Sequence, residues 1–348
     1  CERQEREMQM RDDLGITTKL ENGKAYLEFA LPEKIGRLLS ALQIEIWEGA
    51  EGERLVFHGE YSSEEADSMT ALLLRPHLWD GMRDPYVYLV KAQGRFRSVE
   101  YGEKMGGMEK EEKLDPAEDI TGEVEMYWRQ ELTIYDVRVV EKKGILLNEK
   151  EFLPHEVVYR LPPQISDAGT RVEQVRRDLE RLVQMGVNVI RLEGTGTGAE
   201  GVNCSEVRTF YSLCRKRGFL TGDLWIRPEN LPVYRGLPGE TTCQALLAAD
   251  GRTLTERYYY YQAKWSSEPV LYPVLSTLHR QENGLLSLTI YSNQKKVVLY
   301  VDGVLFLFQS AASGDPEFIF EDIPVAKLPL HLAVEAGNLS ISLTVSKI

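Results

Sequence analysis

The stretch TRVEQVRRDLERLVQMGVNVIRL, residues 170–192, passes from the hydrophobic period of a helix to that of a buried strand. Thr170 and Glu173 form the pattern of a capping box, and Gly186 marks the predicted end of the helix. The apolar residues that share one face of this helix are Val172, Val175, Leu179 and Leu182. The stretch therefore predicts α/β structure in the middle of the chain.

The residues that follow repeat the alternation of helix and strand. VRTFYSLCRKRG has the apolar spacing of a second helix ending at Gly218, and FLTGDLWI, 219–226, has the apolar content of another strand. Strands that alternate with helices predict a parallel sheet, here of three strands.

Short β-rich runs flank this α/β region on both sides. Over 14–140 they recur at regular intervals, and over 285–348 they are joined by Gly and Asn turns, which is typical of antiparallel sandwiches. The run GILLNEKEF predicts a hairpin that turns at Asn148 and Glu149. A charged, glycine-rich segment, 98–123, is expected to be a mobile loop because it has few apolar residues.

The charge balance argues against polyanionic partners. The chain of 348 residues carries a formal net charge of −13, spread along its length, and neither nucleic acid nor an anionic membrane surface would attract it. No apolar run is long enough for a membrane span, and the first ten residues are too charged for a signal peptide. A cytoplasmic protein is the expectation.

The cysteines indicate neither a metal site nor a disulfide framework. The four of them show no C-x-x-C spacing and no histidine at ligand spacing, so no metal and no cofactor is predicted from them. A reducing compartment fits best. Cys1 at the start of the sequence is also what a trimmed chain or a processed lipoprotein would show.

PHLWDGMRDPYVYLVKA, 76–92, resembles the Leu-Trp-x-x-x-x-Pro-Tyr-Leu-Tyr signature of glycoside hydrolase family 2, the β-galactosidase and β-glucuronidase family. Further resemblances follow in the family's order along most of the chain. They are ELTIYDVRVVEKKGILLNEKEF, RDLERLVQMGVNVIRL, FYSLCRKRGFL, LAADGRTLTERYYYYQAKWSSEPVLY and YSNQKKVVLYVDGVLF. The ordered series is more specific than any one piece.

The resemblance implies a multidomain β plus α/β chain in three parts. Residues 1–142 would form an immunoglobulin-like β-sandwich, 143–266 a truncated TIM-barrel-like α/β region, and 267–348 a C-terminal β-sandwich. Four residues of the signature, Trp79, Pro85, Tyr86 and Tyr88, are then expected to be structural residues that fix a sandwich edge against the barrel. A sugar-stacking platform is the alternative for them.

The α/β region is too short for a complete barrel. An (β/α)₈ barrel needs about 250 residues, whereas 144–262 holds 119. Retaining glycosidases use two carboxyl groups about 5 Å apart, and both of the family's catalytic glutamates fall in the part that is missing. Glu229 follows Pro228 in the order Glu-Asn rather than Asn-Glu and one strand too early, so it is not expected to be catalytic.

The retained part keeps few of the residues that the family places at its site. The match puts His155 at the family's arginine, Arg160 at its histidine and Arg191 at its second-strand arginine. For Arg191, the simpler expectation is pairing with a carboxylate such as Glu193 or Asp223. The residues retained as vestigial-site or ligand-binding candidates are Arg191, Glu193, Asp223, Trp225 and His155.

Two other patterns have a functional and a structural interpretation each. Gly196-Thr-Gly198-Ala-Glu-Gly201 fits the dinucleotide motif G-x-G-x-x-G with Asp223 downstream, but a flexible loop in place of a lost site is the favoured interpretation. The run RYYYYQAKW, 257–265, offers tyrosine rings for sugars, but helical spacing favours packing by Tyr258, Tyr261 and Trp265.

The leading functional hypothesis is a non-catalytic relative of family 2 glycosidases that serves as a carbohydrate-associated binding or scaffold protein. The alternative is one part of an active retaining β-glycosidase completed by another chain or a missing segment, in which a protein partner would cover the open barrel edge. A nucleotide-binding module is a lower alternative.

Overall fold

The computed structural model describes residues 14–99, 120–162, 168–193, 204–222, 231–236, 245–311 and 314–347. The chain divides into two compact units, Cys1–Phe152 and Leu153–Ile348. Strands dominate both units, in several separate sheets. The described parts of the chain contain no helix that is long and apolar enough to cross a membrane.

The first unit is antiparallel β structure with one short helix, α1 (Glu33–Gly36). Its strands are β1 (Gly15–Glu21), β2 (Lys24–Ala30), β3 (Leu39–Glu48), β4 (Arg54–Ser62), β5 (Thr70–Leu74), β6 (Tyr88–Val99), β7 (Ile120–Leu132), β8 (Val137–Val140), β9 (Gly144–Leu147) and β10 (Lys150–Glu151). They form three sheets in the orders β1-β2-β5, β4-β3-β6-β7 and β10-β9-β8.

Two of these sheets share one hydrophobic core. Every second residue of β2 is buried, and so is every second residue from Leu42 to Ile46 in β3, as the alternation of apolar and polar residues requires. Leu27 and Phe29 from one sheet and Ile44 and Ile46 from the other belong to the same buried cluster. Burial of both inner faces is what stabilises this unit.

The aromatic signature residues Trp79 and Tyr88 lie inside this unit. Trp79 is 1% exposed, and its backbone N–H donates to the carbonyl of Ile134 (2.9 Å). Tyr88 is 2% exposed, and its hydroxyl accepts from the backbone N–H of His77 (2.7 Å). Burial raises the pKa of Tyr88 to about 12. Both side chains pack within the unit.

The hairpin predicted at Asn148 and Glu149 is confirmed. β9 and β10 pair antiparallel across these two residues, which have φ of 49° and 66°. Positive φ at both central positions is the requirement of a two-residue hairpin turn.

Both ends of the segment predicted as a mobile loop, 98–123, are strands instead. Its first residues belong to β6 and its last to β7, and these two strands pair with each other. Residues 100–119 lie outside the described ranges. The β-branched residues Val99 and Ile120 explain the difference, because they extend the strands into a segment of polar composition.

The second unit begins with α/β structure and continues into strands. Its helices are α2 (Ala168–Met185), α3 (Cys204–Lys216) and α4 (Glu256–Trp265). Its strands are β11 (Glu156–Tyr159), β12 (Val189–Leu192), β13 (Leu220–Thr221), β14 (Val233–Arg235), β15 (Ala245–Leu247), β16 (Leu271–Arg280), β17 (Leu286–Ser292), β18 (Lys296–Val301), β19 (Val304–Ser310), β20 (Glu317–Ile323), β21 (Leu330–Ala336) and β22 (Leu339–Val345).

The parallel sheet has five described strands, not the three expected from the sequence. Its order is β13-β12-β11-β14-β15, with every neighbouring pair parallel. The two additional strands, β14 and β15, are three residues long each. Runs this short between prolines and glycines give no periodic pattern, and for this reason the sequence did not indicate them.

Helix α2 begins earlier than the capping box predicts. It starts at Ala168, so Thr170 lies within the first turn rather than at the cap. The predicted end is confirmed, since the helix stops at Met185 and Gly186 has a φ of 88°. The second predicted helix also ends as expected, before Gly218 with a φ of 81°.

The C-terminal strands form two antiparallel sheets, β16-β17-β20 and β19-β18-β21-β22. Leu288, Ile290 and Phe320 from the first sheet and Leu299 and Val334 from the second lie in one buried cluster. The outward face of the first sheet is therefore free to contact other elements, and α4 packs on it.

Gly186 provides a test of a different contact of α4, between its last residue and the end of α2. A Cβ there would lie 2.4 Å from the carbonyl oxygen of Trp265, whereas a Cβ at Gly303, also at positive φ, would meet no atom within 4 Å. We expect Gly303→Ala to lower the free energy of unfolding by about 1 kcal/mol. Gly186→Ala should cost roughly 2 kcal/mol more. Urea unfolding of both variants measures this, and equal losses would contradict the close approach.

Candidate functional site

The carboxyl ends of the parallel strands are where an α/β sheet places ligands. Arg160 directly follows β11, and Glu193 directly follows β12. The Arg160 guanidinium donates through Nε and Nη2 to the Glu193 carboxylate, and through Nη1 to the backbone carbonyl of Arg235 (3.3 Å). Arg160 thereby links the ends of β11, β12 and β14. Its side chain is 16% exposed and that of Glu193 is 48% exposed.

A second ion pair lies on the same sheet, nearer its middle. Arg191 of β12 donates from Nε to Oε1 of Glu156 in β11 (3.0 Å). The Glu156 side chain is fully buried. A carboxylate partner was expected for Arg191, but the described partner is Glu156, while Glu193 is bound to Arg160. Parallel pairing of Arg191 with Val158 sets Glu156 two residues back on the neighbouring strand.

The other face of the sheet holds a buried polar cluster around Asp178 of α2. The Asp178 carboxylate is fully buried and accepts from Arg235 Nη2 (2.7 Å), from the Tyr159 hydroxyl (2.9 Å) and from the Tyr234 hydroxyl (3.1 Å). The Arg181 guanidinium lies 3.8 Å away. Four side chains, from α2, β11 and β14, therefore surround the Asp178 carboxylate.

The tyrosines of this cluster cannot ionise at ordinary pH. Burial, and then the negative charge of Asp178, raise the pKa of both Tyr159 and Tyr234 above the usual value. Their rings stack at a centroid distance of 5.5 Å, and Tyr159 also stacks on Phe210 of α3 (4.9 Å). Neutral, stacked and buried, the two tyrosines hold the helices to the sheet and are closed to a ligand.

His155 lies at the opposite end of the sheet from Arg160 and Glu193. It directly precedes β11, and its Nδ1–H donates to the carbonyl of Gly186 (2.8 Å). Its ring stacks on Trp265 at 5.2 Å, and burial lowers its pKa below the usual 6.5. The structure therefore separates His155 from the other described candidates.

Several sequence candidates lie outside the described residues. They are Asp223, Trp225, Glu229 and the glycine motif of Gly196, Gly198 and Gly201. Among the described residues, no group of three or more His, Cys, Asp and Glu side chains is arranged to hold a metal ion. The described part of the site thus consists of Arg160, Glu193, Arg191 and Glu156.

The sequence did not single out Asp178. It stands three residues after Val175 and four before Leu182, both buried on the face of α2 that was predicted to be apolar. An acid on such a face signals a buried partner, since an unpaired carboxylate would be costly there. The partners Tyr234 and Arg235 could not be found in this way because they lie on a strand too short to detect.

Solved structures of glycosidases share this fold. An FMN-binding β-glucuronidase from Faecalibacterium prausnitzii L2-6 aligns with 97% of this chain and 74% of its own, at 14% identity and a TM-score of 0.62. A β-glycosidase from Bacteroides vulgatus aligns with 97% of this chain and 64% of its own, at 11% identity and a TM-score of 0.62. A glycosyl hydrolase family 2 member from Bacteroides cellulosilyticus DSM 14838 aligns with 96% and 63%, at 12% identity and a TM-score of 0.59.

At such identities the likeness establishes the fold and leaves the activity open. The chain spans less than two thirds of the length of two of these three proteins. No family profile matches the sequence, and no curated protein matches it.

The Asp178 cluster predicts a large and specific loss of stability. Asp178→Ala should lower the free energy of unfolding by roughly 3–5 kcal/mol, because it leaves the buried Arg235 guanidinium without its carboxylate. Glu180→Ala on the same helix breaks an exposed pair with Arg217 and should cost less than about 1 kcal/mol. Chemical denaturation distinguishes the two, and similar losses would contradict the role given to Asp178.

His155 predicts a dependence of stability on pH. Its folded pKa lies below the unfolded value near 6.5, so the unfolded chain takes up the proton first as the pH falls through about 6.5. The protein should therefore lose more stability between about pH 7.5 and 5.5 than the His155→Phe variant, which keeps a ring against Trp265. Equal losses in both proteins, measured by urea unfolding, would show that His155 titrates as it does in the unfolded chain.

Proposed function

We propose that this chain is a glycoside hydrolase family 2-like protein that does not hydrolyse glycosides by itself and acts as a carbohydrate-associated binding or scaffold protein. In this interpretation the first unit is an immunoglobulin-like sandwich, the five-stranded sheet is a remnant of the family's barrel, and the C-terminal sheets form a second sandwich. The shared fold with solved family 2 glycosidases supports the ancestry.

One observation carries the non-catalytic part of the proposal. Of the residues that directly follow the five described parallel strands, Glu193 is the one carboxylate, and Arg160 is bound to it. Retaining hydrolysis needs a nucleophile and a separate acid/base carboxyl about 5–5.5 Å apart. A single carboxylate that is neutralised by a guanidinium meets neither requirement.

The winding of the sheet supports the same proposal. In a closed barrel, the strand next to the first one is the last in sequence. Here β14 lies beside β11, and the later strand β15 lies beyond β14. The sheet therefore departs from barrel winding after β13, in the region where the family keeps its catalytic glutamates.

Completion by another chain is the second candidate. β13 and β15 are the edges of the described parallel sheet, apart from one bridge between Leu247 and Leu254. Unpaired strand edges offer hydrogen-bonding groups to a partner. A partner that supplies both carboxylates would restore a retaining β-glycosidase.

A nucleotide-binding role is the least supported candidate. The strand order is the 3-2-1-4-5 order of dinucleotide-binding sheets, but in those proteins the glycine motif follows the first strand. In this chain it follows β12, the second strand. Those sheets also carry helices on both faces, whereas α2 contacts both α3 and α4 here. Unchanged nucleotide affinity in a Gly198→Asp variant would eliminate this role.

The proposal predicts that the purified chain releases no aglycone from aryl β-galactosides, β-glucuronides or β-glucosides. The assay should use high protein concentration, an active family 2 β-glucuronidase as positive control and its acid/base variant as blank. The reason is that the described strand ends hold one carboxylate, Glu193, which is bound to Arg160, and a site without its catalytic groups loses many orders of magnitude in rate.

Turnover above the blank that persists through a second purification would contradict the non-catalytic proposal. Turnover that appears only when a second chain is added would favour the completed glycosidase instead.

A further inference from the structure

A cleft of about 670 Å³ is lined by residues of α4 and of the sheet β16-β17-β20, together with Thr255 and Asp315. Three tyrosines, Tyr260, Tyr261 and Tyr291, form its aromatic wall, and all three are half-buried. A volume in this range is typical of small-molecule sites.

A row of side chains crosses three strands of the sheet beneath α4, and two of its members, Tyr291 and Glu317, line the cleft. Tyr272 of β16 pairs with Tyr291 of β17, and Tyr291 pairs with Glu317 of β20, so the three side chains point to the same face. The rings of Tyr272 and Tyr291 lie 6.4 Å apart at 19°. Glu317 stands at the exposed end of the row, because β20 is an edge strand of this sheet.

Two consecutive tyrosines of α4 pack against this row. Tyr259 stacks on Tyr272 at 3.8 Å, and Tyr260 meets Tyr291 edge to face at 5.5 Å. Tyr258 also fixes the helix in place. Its side chain is 2% exposed, and its hydroxyl donates to the carbonyl of Arg181 (2.8 Å). The rings at the cleft are thus held in place before any ligand arrives, which lowers the entropy cost of binding.

The charge of the cleft is negative. Its lining includes Glu256, Asp315 and Glu317 against one guanidinium, that of Arg257. Arg257 already lies over the ring of Tyr261 at 5.5 Å and donates to its hydroxyl (3.4 Å). Glu256 accepts from the backbone and hydroxyl of Ser276.

The remaining two carboxylates, those of Asp315 and Glu317, repel each other. The backbone N–H of Glu317 donates to Asp315 (3.1 Å), which keeps the two acids side by side. Partial burial, and then the charge of Asp315, raise the pKa of Glu317. A cation beside them would relieve this repulsion and could also lie over a tyrosine face.

We propose that this cleft binds an amino sugar in its protonated form, with the pyranose ring packed against Tyr260 and Tyr291 and the ammonium group between Asp315 and Glu317. The C–H face of a pyranose buries apolar surface on an aromatic ring, while its ammonium meets the carboxylates. This inference rests on the proposed carbohydrate-associated function and names a ligand class for it.

The test is calorimetric binding of a glucosamine tetramer and of an N-acetylglucosamine tetramer to the full chain at about pH 6, where the amine is protonated. We expect the glucosamine tetramer to bind at least about tenfold more tightly, since acetylation removes the charge. Glu317→Gln and Tyr260→Ala should each weaken binding by about tenfold. Glu321→Gln, on the same strand and face about 13 Å away, is the matched control and should bind like the unmodified chain.

Equal affinity for both tetramers, or no binding of the glucosamine tetramer, would overturn the inference. Binding that Glu317→Gln and Glu321→Gln leave equally unchanged would also overturn it, because the sugar would then bind elsewhere while the carbohydrate-associated function stands. Spermidine that binds as tightly as the glucosamine tetramer would show charge attraction alone and would overturn the role of the rings. Glycoside turnover, by contrast, would contradict the proposed function and leave this cleft unaffected.

Discussion

The second unit depends on one buried charge. The Asp178 carboxylate in α2 binds groups from β11 and β14 at once, and these two strands are the centre of the parallel sheet. A buried carboxylate is tolerated only when donors surround it, so helix and strands have to meet in this one arrangement. β14 pairs directly with β11, and the Asp178 carboxylate holds both of these central strands to α2.

That order shapes the carboxyl edge of the sheet, where a barrel enzyme would carry out its chemistry. Arg160 connects the ends of three strands and binds the carboxylate that stands there, Glu193. The two described charges at this edge are therefore used for structure. Farther along the same unit, the cleft beneath α4 is lined by tyrosine rings and by the carboxylates of Asp315 and Glu317, and we propose ligand binding there.

The sequence predicted the elements with strong patterns and missed those without. Alternating strands such as β2 and β3, the helix that ends at Gly186 and the hairpin turn at Asn148 follow from local periodicity and backbone preference. The three-residue strands β14 and β15 have no period to detect. The sequence did not reveal which side chains pair. An arginine on a strand predicts a carboxylate partner, but the pairing of Arg191 with Glu156 depends on the register between β11 and β12.

We propose that this chain shares the fold of family 2 glycosidases without hydrolysing glycosides by itself. Retaining glycosidases form a covalent glycosyl-enzyme intermediate, which aryl 2-deoxy-2-fluoro-β-glycosides trap. Intact-mass spectrometry after long incubation with the galactoside, glucoside and glucuronide forms is the most direct measurement. We predict the unmodified mass in every case, whereas a stoichiometric glycosyl adduct on an aspartate or glutamate would reveal a working nucleophile and contradict the claim.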